Sequence, residues 1–552
     1  MKPPVRDTAI EIDFGSLVDH PISHDRLAIF NSGLVTADTY RRDATYFERT
    51  RPEHLRIDLG WGAEWMPGTR ELVTLGTDGP HYDFTETDEI AKILRSVGVR
   101  PYWSYCYVPT AVRAPDGDWR TIDLDDNGWV ALVREYARGA GERGVEIGYH
   151  EVYNEPDLRD ERTGEPVFFA GTLNDYLDLY RATATAIRAV DPTAMIGGPA
   201  LASVGANADW LRPFLDMVAT EGLPLDFLSF HHYGTYGLQL ALDTVVGILA
   251  KYEQFDHVEL HLNEYNSFTI DYPRGGLQDT HLLAGAFAED AARFLSGRRL
   301  TRISWAQFLD SGNDNYSGMV SIDGTAKPVL HTYEFLQHMP NDRRRAVVAG
   351  AHGVGALASS DGRRAAAMIW NRSSEDQTIS LTVTHAPGGD AHVRMIDAGH
   401  VGEIVGPFDG RPLQLSRGAV ACLEWGAPAD SKPARRSVLR ARYDYADRTP
   451  GAWTDVDEID GTVRFGTGPL NDAVPSTSLR VGYDVRGSLV PQFEHTIVFA
   501  DGALAPGVVD VSIEPAAAGD ATTLWFTLSG APACVFARST PVRQRSDLEV
   551  QP

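Results

Sequence analysis

The sequence has few cysteines, no long apolar run and no apolar segment at its N-terminus. The three cysteines, Cys106, Cys422 and Cys534, are far apart and in no metal-binding spacing, which predicts buried free thiols in a reducing compartment. No run of about 18 apolar residues occurs, so we expect no membrane span. Residues 1–7 lack the apolar core of a signal peptide. Together these absences predict a cytoplasmic protein.

Basic residues are also fewer than acidic residues. The chain has 50 Lys and Arg residues against 76 Asp and Glu residues, a net charge of −26. Nucleic acids and anionic membranes are bound by clustered Lys and Arg, so we expect neither as a partner. The acidity suits an enzyme with a neutral substrate, such as an oligosaccharide or a glycoside, and it is compatible with a homo-oligomer. A length of 552 residues predicts about two to four domains.

Eight short apolar runs are each followed by a segment with helical apolar spacing. The runs are residues 27–30, 55–59, 100–106, 145–153, 195–198, 227–232, 258–262 and 302–308. The helical segments are 38–50, 86–97, 127–143, 173–190, 207–221, 238–254, 280–297 and 329–338. Strands that alternate with helices indicate βαβ units and a parallel sheet. The pattern therefore predicts an α/β fold, a (β/α)8 TIM barrel over residues 20–345.

Two Asn-Glu pairs end strands of this predicted barrel. Glu155, in Asn154-Glu155-Pro156, follows the fourth strand, and Glu264, in Asn263-Glu264, follows the seventh. The carboxyl ends of all barrel strands face the same mouth, where active sites lie. Retaining glycosidases need one carboxyl group as acid/base and a second as nucleophile. We therefore predict an O-glycosidase with Glu155 as acid/base and Glu264 as nucleophile, without a cofactor.

Several stretches resemble glycoside hydrolase family 39, the clan A family of retaining β-xylosidases and α-L-iduronidases. The similar stretches are residues 149–158 (YHEVYNEPDL), 197–200, 225–234, 260–268 (LHLNEYNSF), 303–310 and 316–333. The resemblance implies the same barrel and the same roles for Glu155 and Glu264. The chain departs from the family pattern at Tyr153, where the family has Trp, at Asn263, where it has Thr, and on strand 2. These departures put β-xyloside specificity in doubt.

Four polar residues are predicted to serve the two carboxylates. Asn154 is placed to bind the 2-hydroxyl of a sugar. Tyr233, at the end of strand 6, is expected to donate to the nucleophile, and His231 shares its parity along the strand. Arg56 on strand 2 is expected to order the carboxylates or to pair with an acid at the barrel bottom.

A sugar platform is expected at Trp305 on strand 8, because apolar sugar faces stack on aromatic rings, although plain barrel packing fits this residue equally well. The pair His231 and His232 lacks a third ligand at metal spacing, so we predict no metal site.

The sequence indicates the type of reaction more specifically than the sugar that is cleaved. Long loops at 60–82, 108–126 and 156–172 favour a pocket and exo cleavage of a terminal sugar. A uronide would need basic residues at the pocket floor, and the relevant loops offer Arg274 and Lys327 but no clear pair. We therefore favour a xyloside or an arabinofuranoside over an α-L-iduronidase-like substrate. A catalytically silent carbohydrate-binding barrel is the alternative from another class, and the presence of both Glu residues argues against it.

Outside the barrel the pattern becomes all-β. Short alternating runs separated by turn residues predict a β-sandwich over 346–427. Residues 8–18 alternate like a strand, and the resemblance to family 39 implies that residues 1–19 add this strand to the sandwich. Residues 426–437 have the small, charged, Pro-containing composition of a linker. A second all-β domain, fibronectin-like or a sandwich, is predicted for 438–552.

Overall fold

The computed structural model describes residues 7–426, except 33–34, 64–71, 125–127, 269–276, 297–298, 311–316, 322–323 and 390. Beyond residue 426 it describes the backbone of ten strands between residues 440 and 538. In the part searched, no helix has both the length and the apolar character needed to cross a bilayer.

The N-terminal strand and the barrel fill the first 338 residues. In chain order the elements are β1 (Asp7–Leu17), β2 (Leu27–Asn31), α1 (Ala37–Thr50), β3 (His54–Asp58), β4 (Val73–Gly76), β5 (Gly79–Tyr82), α2 (Thr85–Ser96), β6 (Arg100–Tyr105), α3 (Trp129–Ala140), β7 (Tyr149–Val152), α4 (Leu173–Val190), β8 (Ile196–Leu201), α5 (Val204–Glu221), β9 (Phe227–Tyr233), α6 (Leu238–Leu249), β10 (Glu259–Asn266), α7 (His281–Ser296), β11 (Arg302–Ala306) and α8 (Pro328–His338).

Eight parallel strands close the barrel in the order β2, β3, β6, β7, β8, β9, β10 and β11, and β11 pairs back to β2. The predicted (β/α)8 fold is therefore confirmed. Local signals explain the helix limits: α4 begins at a capping box in which Thr172 and Asp175 exchange hydrogen bonds, as N-terminal caps do. The fourth barrel strand, β7, is shorter than predicted and ends at Val152. The seventh, β10, is longer and runs through Glu264 to Asn266.

A nine-stranded sheet follows the barrel, where the sequence predicts a sandwich. Its strands are β12 (Arg343–Ala349), β13 (Val354–Ser360), β14 (Ala365–Asn371), β15 (Gln377–Thr384), β16 (His392–Ile396), β17 (Val401–Pro407), β18 (Leu413–Leu415) and β19 (Val420–Trp425), together with β1. The N-terminal strand lies between β12 and β15, antiparallel to the first and parallel to the second. Its Ile10 and Ile12 share a core with Ala421 and Leu423 of β19.

The opposite face of this sheet packs on the barrel. Met368 and Trp370 of β14 belong to the same buried cluster as Phe287 of α7, so the sheet covers the outer side of that helix. Burial of apolar side chains between the two units stabilises their contact. The limits proposed for the sheet unit, 1–19 with 346–427, stay predictions.

The C-terminal strands form three separate sheets. They are β20 (Arg440–Asp444), β21 (Pro450–Ile459), β22 (Thr462–Gly466), β23 (Val474–Pro475), β24 (Ser478–Val485), β25 (Phe493–Val498), β26 (Ala503–Leu504), β27 (Val508–Ser512), β28 (Ala521–Ser529) and β29 (Val535–Arg538). Strands β27, β22, β21, β20 and β29 form one sheet, β25, β24 and β28 a second, and β23 with β26 a third. The domain limits 438–552 stay a prediction, and the predicted linker, apart from Gly426, lies outside the described residues.

Candidate active site

The loop after β7 presents Glu155 at the mouth of the barrel. Tyr153 and Glu155 have positive φ angles of 71° and 43°, which L-residues adopt only when the surroundings enforce them. The Glu155 amide donates to the carbonyl of Ala200 at the end of β8, and this bond holds the turn against the neighbouring strand. The Glu155 side chain is 8% exposed, so its carboxyl group faces the inside of the mouth.

Glu264 projects into the same space from within β10 and is held by two donors. The Arg56 guanidinium donates through Nη1 to Glu264 Oε1 at 2.8 Å, and the Tyr233 hydroxyl donates to Oε2 at 2.6 Å. Both carboxylate oxygens are thus fixed, and the side chain is only 5% exposed. The carboxylate is ordered before any ligand binds, as a nucleophile requires.

His231 connects the two carboxyl groups. Its Nδ1 lies 2.7 Å from Glu155 Oε1 and 3.5 Å from Glu264 Oε2. One ligand atom from each of Glu155, His231 and Glu264 lies within 4.8 Å of the other two. The two carboxyl groups are therefore close enough to act on the two atoms of one glycosidic bond.

Burial shifts the acidity of both carboxyl groups. Loss of solvent and, to a lesser extent, the charge of Asp157 raise the pKa of Glu155 to about 8, against the opposing effect of Arg56. Burial also raises the pKa of Glu264 to about 7, against the pull of His231 and Arg56. Burial lowers the pKa of His231, so its imidazole is neutral near pH 7. At that pH Glu155 holds a proton more firmly than Glu264 does.

Arg56 is the centre of the network and is fully buried. Besides Glu264 it donates through Nη2 to Asn154 Oδ1 at 2.8 Å and through Nε to Glu151 Oε2 at 2.7 Å. Its Nη1 also lies 3.1 Å from Asp58 Oδ1. The structure thus places Arg56 at the carboxylates, the first of the two positions predicted for it.

The sequence analysis overlooked Glu151. This residue is 0% exposed, two positions before Tyr153 on the strand that leads to the acid/base. A charged residue in a strand buried on both faces must be paired. That argument could have identified Glu151 from the sequence.

A metal ion is the other occupant that this geometry suggests, because two carboxylates and an imidazole are common metal ligands. The sequence offered no third ligand at metal spacing beside the two histidines. In the structure, Glu155 and Glu264 supply two carboxylate ligand atoms beside His231. However, Arg56 lies 2.8 Å from one of these ligands, and its permanent positive charge opposes a cation there. The expected absence of a metal stays a prediction.

Comparison with known proteins shows which family this barrel resembles. Residues 39–272, which span β3 to β10 and include Arg56, Glu155, His231 and Glu264, match the model of glycosyl hydrolases family 39. The match covers less than half of the chain and shows a similarity of the barrel to that family. The predicted resemblance is therefore confirmed.

Two curated relatives of the family 39 barrel are β-xylosidases. The enzyme of Geobacillus stearothermophilus is 28% identical over 315 residues, covering 50% of this chain and 59% of its own length. The enzyme of Caldicellulosiruptor saccharolyticus is 31% identical over 184 residues, covering 31% of this chain and 35% of its own. The chain thus spans about a third to three fifths of these relatives' lengths.

A solved structure confirms the fold beyond the barrel. The family 39 enzyme from Xanthomonas axonopodis pv. citri superposes with a TM-score of 0.61 at 19% identity. The match covers 77% of this chain and 98% of that one. At this identity the likeness concerns the fold alone.

For Trp305 the structure favours barrel packing, the second of the two predicted readings. Trp305 is 1% exposed, and its ring packs 4.7 Å from Phe287 of α7 and 6.3 Å from Tyr265, measured between ring centroids. The side chain points out of the barrel toward α7, since residues alternate between the two faces of a strand. Trp305 therefore offers no stacking face to a sugar and belongs to the barrel wall.

The two basic residues considered for a uronide do not form a pair among the described residues. Arg274 lies outside the described residues. Lys327 is 4% exposed, and its ammonium lies 2.6 Å from Asp310 and 2.7 Å from Asp279. Two buried carboxylates neutralise this one charge, so Lys327 ties the loops after β10 and β11 together and leaves no cation for a substrate carboxylate.

Proposed function

We propose that this protein is a retaining, exo-acting O-glycosidase that removes a terminal neutral sugar, a xyloside or an arabinofuranoside. In this proposal Glu155 is the acid/base and Glu264 is the nucleophile. The proposal is supported by the geometry of the two carboxyl groups, by the similarity of residues 39–272 to glycosyl hydrolases family 39 and by the names of the curated relatives.

The separation of the carboxyl groups carries the proposal. Retaining enzymes place them about 5–5.5 Å apart, whereas inverting enzymes leave about 6.5–9.5 Å for a water molecule. Here ligand atoms of Glu155 and Glu264 lie within 4.8 Å of each other. A close approach of this kind favours the shorter separation of a retaining enzyme, and we infer direct attack by Glu264.

The first step uses the difference in acidity of the two groups. Glu264, ionised and held by Arg56 and Tyr233, attacks the anomeric carbon and forms an ester with it. As the glycosidic bond breaks, the proton held by Glu155 passes to the leaving oxygen. Asn154, fixed by Arg56, is positioned to hydrogen-bond the sugar 2-hydroxyl, a contact that strengthens as positive charge develops on the ring.

The second step reverses the role of Glu155. The two carboxyl groups repel each other when both are ionised, as the effect of Glu155 on the pKa of Glu264 indicates. Once Glu264 is esterified its negative charge is gone, so ionisation of Glu155 no longer meets that repulsion. Glu155, now ionised, takes a proton from water as the water attacks the anomeric carbon and releases Glu264. The neutral His231, 2.7 Å from Glu155, keeps that carboxyl group oriented in both protonation states.

Hydrogen bonds between the mouth loops support exo cleavage. Arg113, in the loop after β6, donates to the carbonyl of Gly62 after β3. Arg120 of the same loop donates to the carbonyl of Pro166, after β7, at 2.7 Å. Three consecutive loops are thus joined into one wall, which closes a side of the mouth and favours a pocket over an open cleft.

A panel of nitrophenyl glycosides, with both anomers of each sugar, tests the substrate class. We expect turnover of a xyloside or an arabinofuranoside to exceed that of an iduronide or glucuronide by about 100-fold or more in kcat/KM. The reason is that Lys327 is already paired with two carboxylates and cannot neutralise a uronate. A preference for the iduronide would contradict the neutral-sugar assignment, and no turnover of any glycoside would contradict the function.

A further inference from the structure

Below the active site, a chain of buried hydrogen bonds runs down the inside of the barrel. Glu151 Oε2 accepts from Arg56, and Glu151 Oε1 accepts from the Asn263 side-chain amide and, at 3.2 Å, from the Tyr102 hydroxyl. The Tyr102 hydroxyl lies 3.3 Å from His261 Nδ1. Glu151 is therefore fixed from below by neutral groups and from above by the guanidinium that also holds the nucleophile.

We propose that Glu151 is a positioning residue that shares Arg56 with Glu264 and thereby sets the acidity of the nucleophile. Glu151 touches neither the sugar nor the reacting atoms. It acts through Arg56, whose Nε it binds while Nη1 of the same guanidinium binds Glu264. This inference rests on the proposed function.

The physical reason is that several carboxyl groups share the positive charge of Arg56. A single guanidinium, 0% exposed, faces the carboxyl groups of Glu151, Glu264 and Asp58 at 2.7, 2.8 and 3.1 Å. A carboxylate beside Arg56 cancels part of the field that the guanidinium exerts on the others, and such fields are weakly screened in a dry interior. A less stabilised Glu264 carboxylate is a stronger base and a better nucleophile near pH 7.

Other groups also face this pair of carboxylates, and all of them except Tyr102, which one control variant replaces, are the same in every variant of the test below. They are Asp58 from β3, Tyr102 from β6, Glu155 from the loop after β7, Tyr176 from α4, His231 and Tyr233 from β9, and His261 from β10. The charge of Glu151 raises the pKa of Asp58, which shows the direction of its effect on a neighbouring carboxyl group.

The substitution Glu151→Gln removes the charge and keeps the shape. The new amide would meet the Asn263 amide donor, but Asn263 Oδ1 is buried without a hydrogen-bond partner, so Asn263 can turn over and accept from it. Tyr102→Phe is the matched control, because it removes a neutral donor to the same carboxylate and leaves the charge in place. Glu151→Asp keeps the charge but withdraws it from Arg56.

The probe is the dinitrophenyl glycoside of the sugar that the nitrophenyl panel identifies as the best substrate, xylose or arabinofuranose, with fluorine in place of the 2-hydroxyl. It needs no proton from Glu155 and is expected to trap Glu264. The rate of trapping, followed by intact mass over a range of pH, reports ionisation of the nucleophile alone. In the wild type we expect the trapping rate to increase with pH, with a midpoint at about pH 7. In Glu151→Gln this midpoint should shift to lower pH by about one unit, because Arg56 now favours the ionised nucleophile more strongly.

The controls separate positioning from stability. Tyr102→Phe should lower the melting temperature without changing the pH at which the trapping rate increases. Glu151→Asp should shift that pH in the same direction as Glu151→Gln, but by less. If the trapping rate of folded Glu151→Gln increases at the same pH as that of the wild type, the inference is overturned. If Glu151→Gln does not fold, the same result in Glu151→Asp overturns it. Failure of the wild type to be trapped or to cleave any glycoside would instead overturn the proposed function.

Discussion

Replacing Glu264 by alanine is expected to lower kcat by roughly 10⁴-fold, which is about 5 kcal/mol of lost transition-state stabilisation. The variant has no group to form the covalent intermediate. It also leaves Arg56 and Tyr233 without the carboxylate that both now bind. Initial rates on the best nitrophenyl substrate of the panel give the measurement.

Added azide makes this prediction specific. The alanine leaves room beside the anomeric carbon, so azide should attack directly and restore part of the activity, giving a glycosyl azide of inverted configuration. Glu253→Ala, an exposed carboxylate ahead of the same strand, is the control and should keep wild-type rates. Near-normal activity of Glu264→Ala without azide would remove the nucleophile from the proposal.

Replacing Glu155 by alanine should give a loss that depends on the leaving group. Substrates with poor leaving groups need its proton, and we expect their kcat/KM to fall by about 10²–10⁴-fold. Dinitrophenyl glycosides need no protonation, so their kcat/KM should stay near that of the wild type. Their kcat should still fall, because the second step has lost the base, and a burst of dinitrophenol should appear.

Azide again discriminates, with the opposite stereochemical outcome. In Glu155→Ala it should react with the glycosyl-enzyme ester and give a glycosyl azide of retained configuration. Glu161→Ala, an exposed residue of the same loop, serves as the control. Equal losses on good and poor leaving groups would show that Glu155 supports the fold of the loop and not proton transfer.

Much of the barrel could be predicted from the sequence because its helices are amphipathic, and two of them, α1 and α4, begin at a side-chain cap. The pattern predicts α4 at 173–190, and the structure has it at Leu173–Val190. The limits of β7 and β10 were less predictable, because an apolar run indicates which residues are buried but not where hydrogen bonding to the neighbouring strands ends. The hairpin of β4 and β5 was missed, since its exposed residues carry no apolar alternation.

The site was predictable where two features coincided. Glu155 and Glu264 combine a carboxylate with a strand end, and Tyr233 and His231 follow from their shared parity on β9. Trp305 was assigned to the mouth by residue type alone, and its orientation depends on which strand positions face inward. Glu151 was missed because its partner Arg56 lies 95 positions away in sequence, and only the closed barrel brings them together.

The anomeric configuration of the first product tests the central claim most directly. NMR spectra recorded within the first minutes of hydrolysis, before the free sugar mutarotates, show which anomer the enzyme releases. Attack by Glu264 followed by attack of water predicts the same configuration as in the substrate. Initial release of the opposite anomer would mean a single displacement by water and would contradict the roles assigned to both carboxyl groups.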